Sequence, residues 1–127
     1  MRRDMDLIRA IMLQVEAAED DRLGVDPDHL SIEGRTTPEI ATHVRLLVQA
    51  GLLEGQNTTS AGDETWHFSS LRLTWAGCEF LDAARDDTRW GRARDQISQV
   101  GSITLPLLLQ LLMSYLRQEL GLPGEGR

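Results

Sequence analysis

Pro38 and Gly51 constrain this 127-residue chain more firmly than any other pair of residues, because they fix both ends of one helix. They lie in TTPEIATHVRLLVQAGLLEG, Thr36 to Gly55. Proline disfavours helical geometry in the residue before it, so Thr37 is the expected N-cap and Pro38 the first helical position. Gly51 can take the left-handed conformation that stops a helix, with Leu52 adding the accompanying apolar contact. Ile40, Val44, Leu47 and Gly51 then share one face. At about 100° per residue, Thr42, Arg45 and Gln49 fall on the opposite one.

The flanking segments fall into place around that helix. Met5, Ile8, Met12 and Val15, widened by Leu7 and Ile11, predict a first helix from about Asp4 to Ala18, with Asp4 and Asp6 at its favourable end. EDDRLGVDPDH reads as an acidic loop, and LSIEG as a short strand ending at Gly34. After the central helix, LLEGQNTTSAGDETWHFSSLRL reads as two strands joined by a long polar loop, with Trp66 and Phe68 alternating with His67. Thr74 is the expected N-cap of a third helix that turns Trp75, Cys78, Leu81 and Ala84 inward. Thr88 would cap a fourth, striped by Trp90, Ala93, Ile97 and Val100. A last helix should run from about Thr104 to Leu120, with Pro106 in its first turn, before a frayed tail.

This order predicts an α+β, winged-helix-like domain, helix-strand-helix-strand-strand, extended by C-terminal helices. A single domain would comprise a core over 1–87 and a helical extension over 88–120. The supporting helix of a helix-turn-helix is either merged with the central helix or reduced to a turn around DPDHL. Three stretches carry a more specific likeness. MRRDMDLIRAIML, EIATHVRLLVQAGLLEG and LRLTWAGCEFLDAARDDTRW together resemble domain-of-unknown-function family 2513, over nearly the whole chain. The resemblance implies a short bacterial protein of the kind often encoded in phages and prophages. Cys78 stands where that family more often has histidine, so no role at that position is carried over.

Two function classes fit. A phage-derived DNA-binding transcriptional regulator would use Thr42, Arg45 and Gln49 at base edges. Arg35, Arg72 and the amino terminus would lie near the phosphates of double-stranded DNA, since Arg and Gln can make paired hydrogen bonds to guanine and adenine. The alternative is an acidic protein–protein interaction module that does not bind DNA. The formal charge of −7, the absence of lysine and an expected wing, GQNTTSAGDET, with two acids and no base weigh against phosphate contacts, while resemblance to winged-helix proteins as a class tips the reading narrowly to the regulator. Arg85, Arg89, Arg92 and Arg94 are interleaved with Asp82, Asp86, Asp87 and Asp95, the pattern of a salt-bridged surface.

Nothing in the sequence calls for catalysis, a cofactor or a metal. His29, His43, His67 and Cys78 fall in different elements without ligand spacing, and His43 reads as a hydrogen-bonded structural residue. Ile103 to Leu116 is apolar most of the way round a helix and interrupted by polar residues, too short to span a bilayer. That predicts a homodimer, with Leu105, Leu108, Leu109, Leu112, Tyr115 and Leu116 at the interface, no membrane partner, and a cytoplasmic location.

Overall fold

Asp4 begins the first helix by accepting a hydrogen bond from the Leu7 N–H at 3.2 Å, and α1 runs Met5–Ala17. The computed structural model describes residues 2–18 and 23–123. The stretch of expected acidic loop at 19–22 and the end of the expected tail at 124–127 lie outside the described residues. These residues form an α+β chain of five α-helices and one two-stranded antiparallel sheet. The backbone divides within its third α-helix into two compact units, Met1–Glu79 and Phe80–Arg127.

In the first unit, Leu7, Ile8, Ile11, Met12 and Val15 of α1 are buried, as are Ile40, Ala41, Val44 and Leu47 of α2. Removing each large aliphatic side chain from water contributes roughly 1.5–3 kcal/mol, and these two stripes form the core of this unit together with Val25, Leu30, Leu53, Phe68 and Leu71. The second helix, α2, spans Thr37–Gln49 and is capped by Thr36 rather than Thr37. The reason is Glu39: its carboxylate reaches back to the Thr36 N–H while the Thr36 hydroxyl accepts from the Glu39 N–H at 3.3 Å. Only a cap at Thr36 puts a glutamate three residues on, completing a capping box. Pro38 therefore sits at the second helical position. At the other end Gly51 is left-handed, φ +77°, and the Leu52 N–H returns to the Leu47 carbonyl at 3.0 Å.

The expected strand at Leu30–Gly34 does not form. The side-chain amide of Gln14 takes the place of a neighbouring strand, accepting from the Ser31 N–H at 3.1 Å and donating to its carbonyl at 2.6 Å. A turn from Ile32 to Arg35 follows. Upstream, a single 3₁₀ turn occupies Pro27–His29. A third extended segment survives only at Val25, which exchanges both backbone hydrogen bonds with Leu71 at 2.7 and 2.8 Å. Gly24 makes this approach possible. Its φ is +71°, and a Cβ there would stand 2.4 Å from the Ser70 carbonyl carbon.

Strands β1 (Leu53–Asn57) and β2 (Phe68–Leu73) form the sheet. Leu53 pairs with Leu73 and Asn57 with Phe68, with an irregularity between Glu54 and Gln56. Ser70 absorbs that irregularity with φ +56°. Trp66 and His67 precede β2 and are exposed rather than alternating within it.

Helix α3 spans Trp75–Ala84, and the Thr74 hydroxyl caps it by accepting from the Gly77 N–H at 3.0 Å. The expected inward face was rotated. Trp75 is 82% exposed and Cys78 is exposed, whereas Gly77, Phe80, Leu81 and Ala84 are buried. Counting Gly77 as a contact residue restores a clean i, i+3, i+4, i+7 stripe.

In the second unit, α4 (Asp87–Val100) is capped by Asp86, which accepts from the Arg89 N–H at 2.8 Å, not by Thr88. A carboxylate cap also favours the positive end of the helix. Trp90 and Ala93 are buried, but Val100 is 73% exposed, so the expected stripe ends early. Helix α5 spans Leu105–Glu119 and is capped by Thr104, with Pro106 in its first turn. It packs on α4. No described helix is long and apolar enough to cross a membrane.

A candidate interaction cleft beside the hairpin

The loop between β1 and β2 is built by short polar side chains. Thr59 holds it shut: its hydroxyl accepts from the His67 N–H at 2.9 Å and donates to the His67 carbonyl at 3.2 Å. Asn57 accepts from the Thr59 N–H, and Asp63 from the Ser60 N–H at 2.6 Å. These Asx-type contacts replace a strand ladder where the sequence is too polar to bury. The loop is thereby fixed, and it carries Trp66 to the surface of α2.

There Arg45 meets it. The guanidinium carbon lies 4.2 Å from the centre of the Trp66 ring, a cation–π contact tying loop to helix. The other residues of the expected base-reading face are less available than their sequence positions imply. Thr42 donates its hydroxyl proton to the Pro38 carbonyl at 2.9 Å. Gln49 is exposed. Arg72 is half-buried on β2, directly across the ladder from Glu54.

Arg35 is bound to the Asp4 carboxylate and lies 3.7 Å from Glu39. Burial pushes the Asp4 carboxyl up. The Arg35 hydrogen bond, the Leu7 and Asp6 N–H groups and the Arg35 charge outweigh burial and hold it below the ordinary range. The hydrogen bond from Arg35 to Asp4 in turn raises the guanidinium pKa. His43 is the one buried polar residue among those described, 4% exposed. Its Nε2 accepts from the Asp4 N–H at 3.0 Å and its Nδ1 faces the Glu39 carbonyl at 2.8 Å. A backbone N–H can only donate, so Nε2 is the acceptor and Nδ1 carries the proton.

Beside Trp66 a cleft of about 340 Å³ opens between the 3₁₀ turn, the start of α2 and the start of β2. Leu30, Ile40, Ala41 and Phe68 give it an apolar floor, while Asp26, Asp28, Trp66 and His67 stand along it. Asp26 is committed to the fold, accepting from the Ser70 N–H at 3.3 Å. Asp28 is exposed and free of partners among the described residues. None of these four rim residues belongs to the site expected from sequence. Their positions depend on where the loop folds back, which no local periodicity encodes.

The expected oligomer-interface residues divide. Leu108 and Leu112 are fully buried within the chain and Tyr115 is 5% exposed. Arg92 caps the Tyr115 ring at 3.9 Å. Leu105, Leu109 and Leu116 are half-buried on one flank of α5. The arginine-rich segment is paired as its interleaved acids suggest for Arg85 and Asp82, at 2.9 Å. Arg89 reaches further, gripping Glu119 with two bonds of 2.7 and 3.2 Å and donating to the Ala83 carbonyl. Among the described residues, no three His, Cys, Asp or Glu side chains gather as metal ligands would.

The profile of the family described as Hypothetical protein (DUF2513) matches residues 2–104. A Haemophilus influenzae protein described as an uncharacterized protein is 31% identical over 121 residues, 94% of this chain and 99% of its own length. No solved structure matches.

Proposed function

The chain belongs to the DUF2513 family, and we propose that it is a non-enzymatic protein-interaction module on a winged-helix-like scaffold, not a reader of DNA. In this reading the 3₁₀ turn stands for the supporting helix, Val25 for the first strand, and the loop 58–67 for the wing. The observation that carries it is Arg45, whose guanidinium rests on Trp66 at 4.2 Å. The one cation on the exposed face of α2 secures the wing in place of probing a groove. Arg35 is likewise held by Asp4 and Glu39. DNA affinity depends on cations able to displace counterions from phosphates, and a chain of charge −7 with its arginines so engaged is poorly equipped for that.

Fluorescence anisotropy of a labelled random-sequence duplex pool tests this. At about 50 mM salt, where weak phosphate contacts are strongest, no binding is expected at tens of micromolar protein. Binding with a steep salt slope would return the chain to the DNA-binding regulators.

The module is proposed to work as a homodimer. Met113 and Leu120 are 38% and 65% exposed and continue the flank of Leu105, Leu109 and Leu116 along α5. A symmetric pairing of this flank would cover it. Light scattering should give a dimer for the native chain and a monomer for Met113→Glu. Leu112→Glu would be uninformative, since Leu112 is fully buried and its loss would unfold the chain. A monomeric native chain removes the proposal.

A further inference from the structure

We propose that the cleft between the 3₁₀ turn and β2 is a docking strip for an extended, basic peptide segment of a partner protein. This rests on the interaction-module reading and names the chemistry of the partner.

The argument begins with the sheet edge. The Thr58 N–H donates to the His67 carbonyl at 2.9 Å, so His67 faces β1. By the alternation of an antiparallel ladder, the N–H and C=O of Phe68 then point away from β1. On that outer side Val25 pairs with Leu71 alone. The chain then leaves the edge at Asp26, which binds the Ser70 N–H through its side chain, and turns off through Pro27–His29. A strand continuing past Val25 would run beside Ser69 and Phe68, and there the cleft lies instead. A peptide seated in it completes the edge with main-chain bonds, as in strand addition to an exposed sheet.

The lining selects the side chains. Successive residues of an extended peptide point to opposite sides. One set would meet Leu30, Ile40, Ala41 and Phe68, and the other the rim with Asp26, Asp28 and Trp66. Asp28 is an exposed carboxylate with no partner among the described residues, and none of the described residues lining the cleft is Arg. Charge complementarity therefore favours a peptide alternating apolar residues with Arg or Lys. A polyanion such as DNA would meet repulsion at the same rim. Edges left open are hazards for aggregation, and the carboxylates beside this one admit a cationic strand while discouraging a second copy of an acidic chain.

The experiment is a titration of ¹⁵N-labelled full-length chain with three probes, followed by backbone and indole resonances. The first is a blocked peptide of about six residues alternating Val or Thr with Arg, the usual length of one strand. The second replaces each Arg with Glu, and the third is the random-sequence duplex. The Arg peptide should shift Phe68, Ser69, Asp28 and Ala41 amides and the Trp66 indole, and slow exchange of the Phe68 N–H. The Glu peptide should bind at least about tenfold more weakly, and Asp28→Lys should weaken the Arg peptide by a similar factor while leaving the remaining spectrum native. No shift at these positions with millimolar Arg peptide, or equal binding of the two peptides, overturns the cleft assignment. A duplex that binds overturns the interaction-module reading. A silent duplex with a silent peptide overturns the cleft alone.

Discussion

Gly77→Ala should destabilise the chain by about 3 kcal/mol, the scale of a core position forced to accept an atom it has no room for. The sign is opposite to what helix propensity gives, since Ala in place of Gly inside a helix ordinarily gains up to about 1 kcal/mol. The difference is a backbone contact. A Cβ on Gly77 would lie 2.0 Å from the carbonyl oxygen of Leu52 and 3.0 Å from its carbonyl carbon. That carbonyl cannot swing aside without loss, because it also accepts from the Thr74 N–H at 3.2 Å. The segment that ends α2 and begins β1 is thus clamped to the first turn of α3 through a position where only hydrogen fits. Gly91→Ala is the matched control: Gly91 is in the interior of α4 and its Cβ would meet nothing within 4 Å. Urea denaturation should show the midpoint falling for Gly77→Ala and holding or rising for Gly91→Ala. A Gly77→Ala midpoint equal to the native one would refute the close approach.

His43→Ala should cost about 3 kcal/mol, from a cavity and two unmade hydrogen bonds. The imidazole lies 4% exposed between the start of α1 and the first turn of α2. Its removal leaves the Asp4 N–H without its acceptor in a half-buried setting. His43→Leu separates the two contributions. It restores most of the volume and should remain about 1–2 kcal/mol below the native chain, the deficit of the lost polar contacts. Recovery of full stability in His43→Leu would mean that the imidazole merely fills space.

The helices were legible in the sequence wherever periodicity and capping chemistry agree, as for α1 and α5. Each departure has its own physical cause. Pro38 alone points to Thr37 as the cap, whereas the reach of Glu39 back to Thr36 decides the start. Asp86 and Thr88 can both cap a helix, and periodicity does not choose between them. A stripe that turns Trp75 and Cys78 inward follows from ignoring Gly77, which carries no hydrophobic signal yet approaches the Leu52 carbonyl so closely that a Cβ would not fit. The strand at Leu30–Gly34 failed for a tertiary reason: Gln14, distant in sequence, supplies the hydrogen bonds a strand would need. The cleft was legible least of all. Asp26, Asp28, Trp66 and Phe68 come together only through a loop closed by Thr59, and loop closure leaves no periodic trace. Helical period places Thr42, Arg45 and Gln49 on one face of α2, but Thr42 and Arg45 are half-buried there, and the contact of Arg45 with Trp66 depends on the loop fold.

Asp4 has a consequence for how this protein should be handled. Its carboxylate caps α1 and binds Arg35, while its N–H is held by His43, 39 positions away. The starts of α1 and α2 are therefore keyed to one residue close to the amino end. Trimming at most termini is harmless because few contacts hold them. Here, deletion through Asp4 would unseat two helices at once.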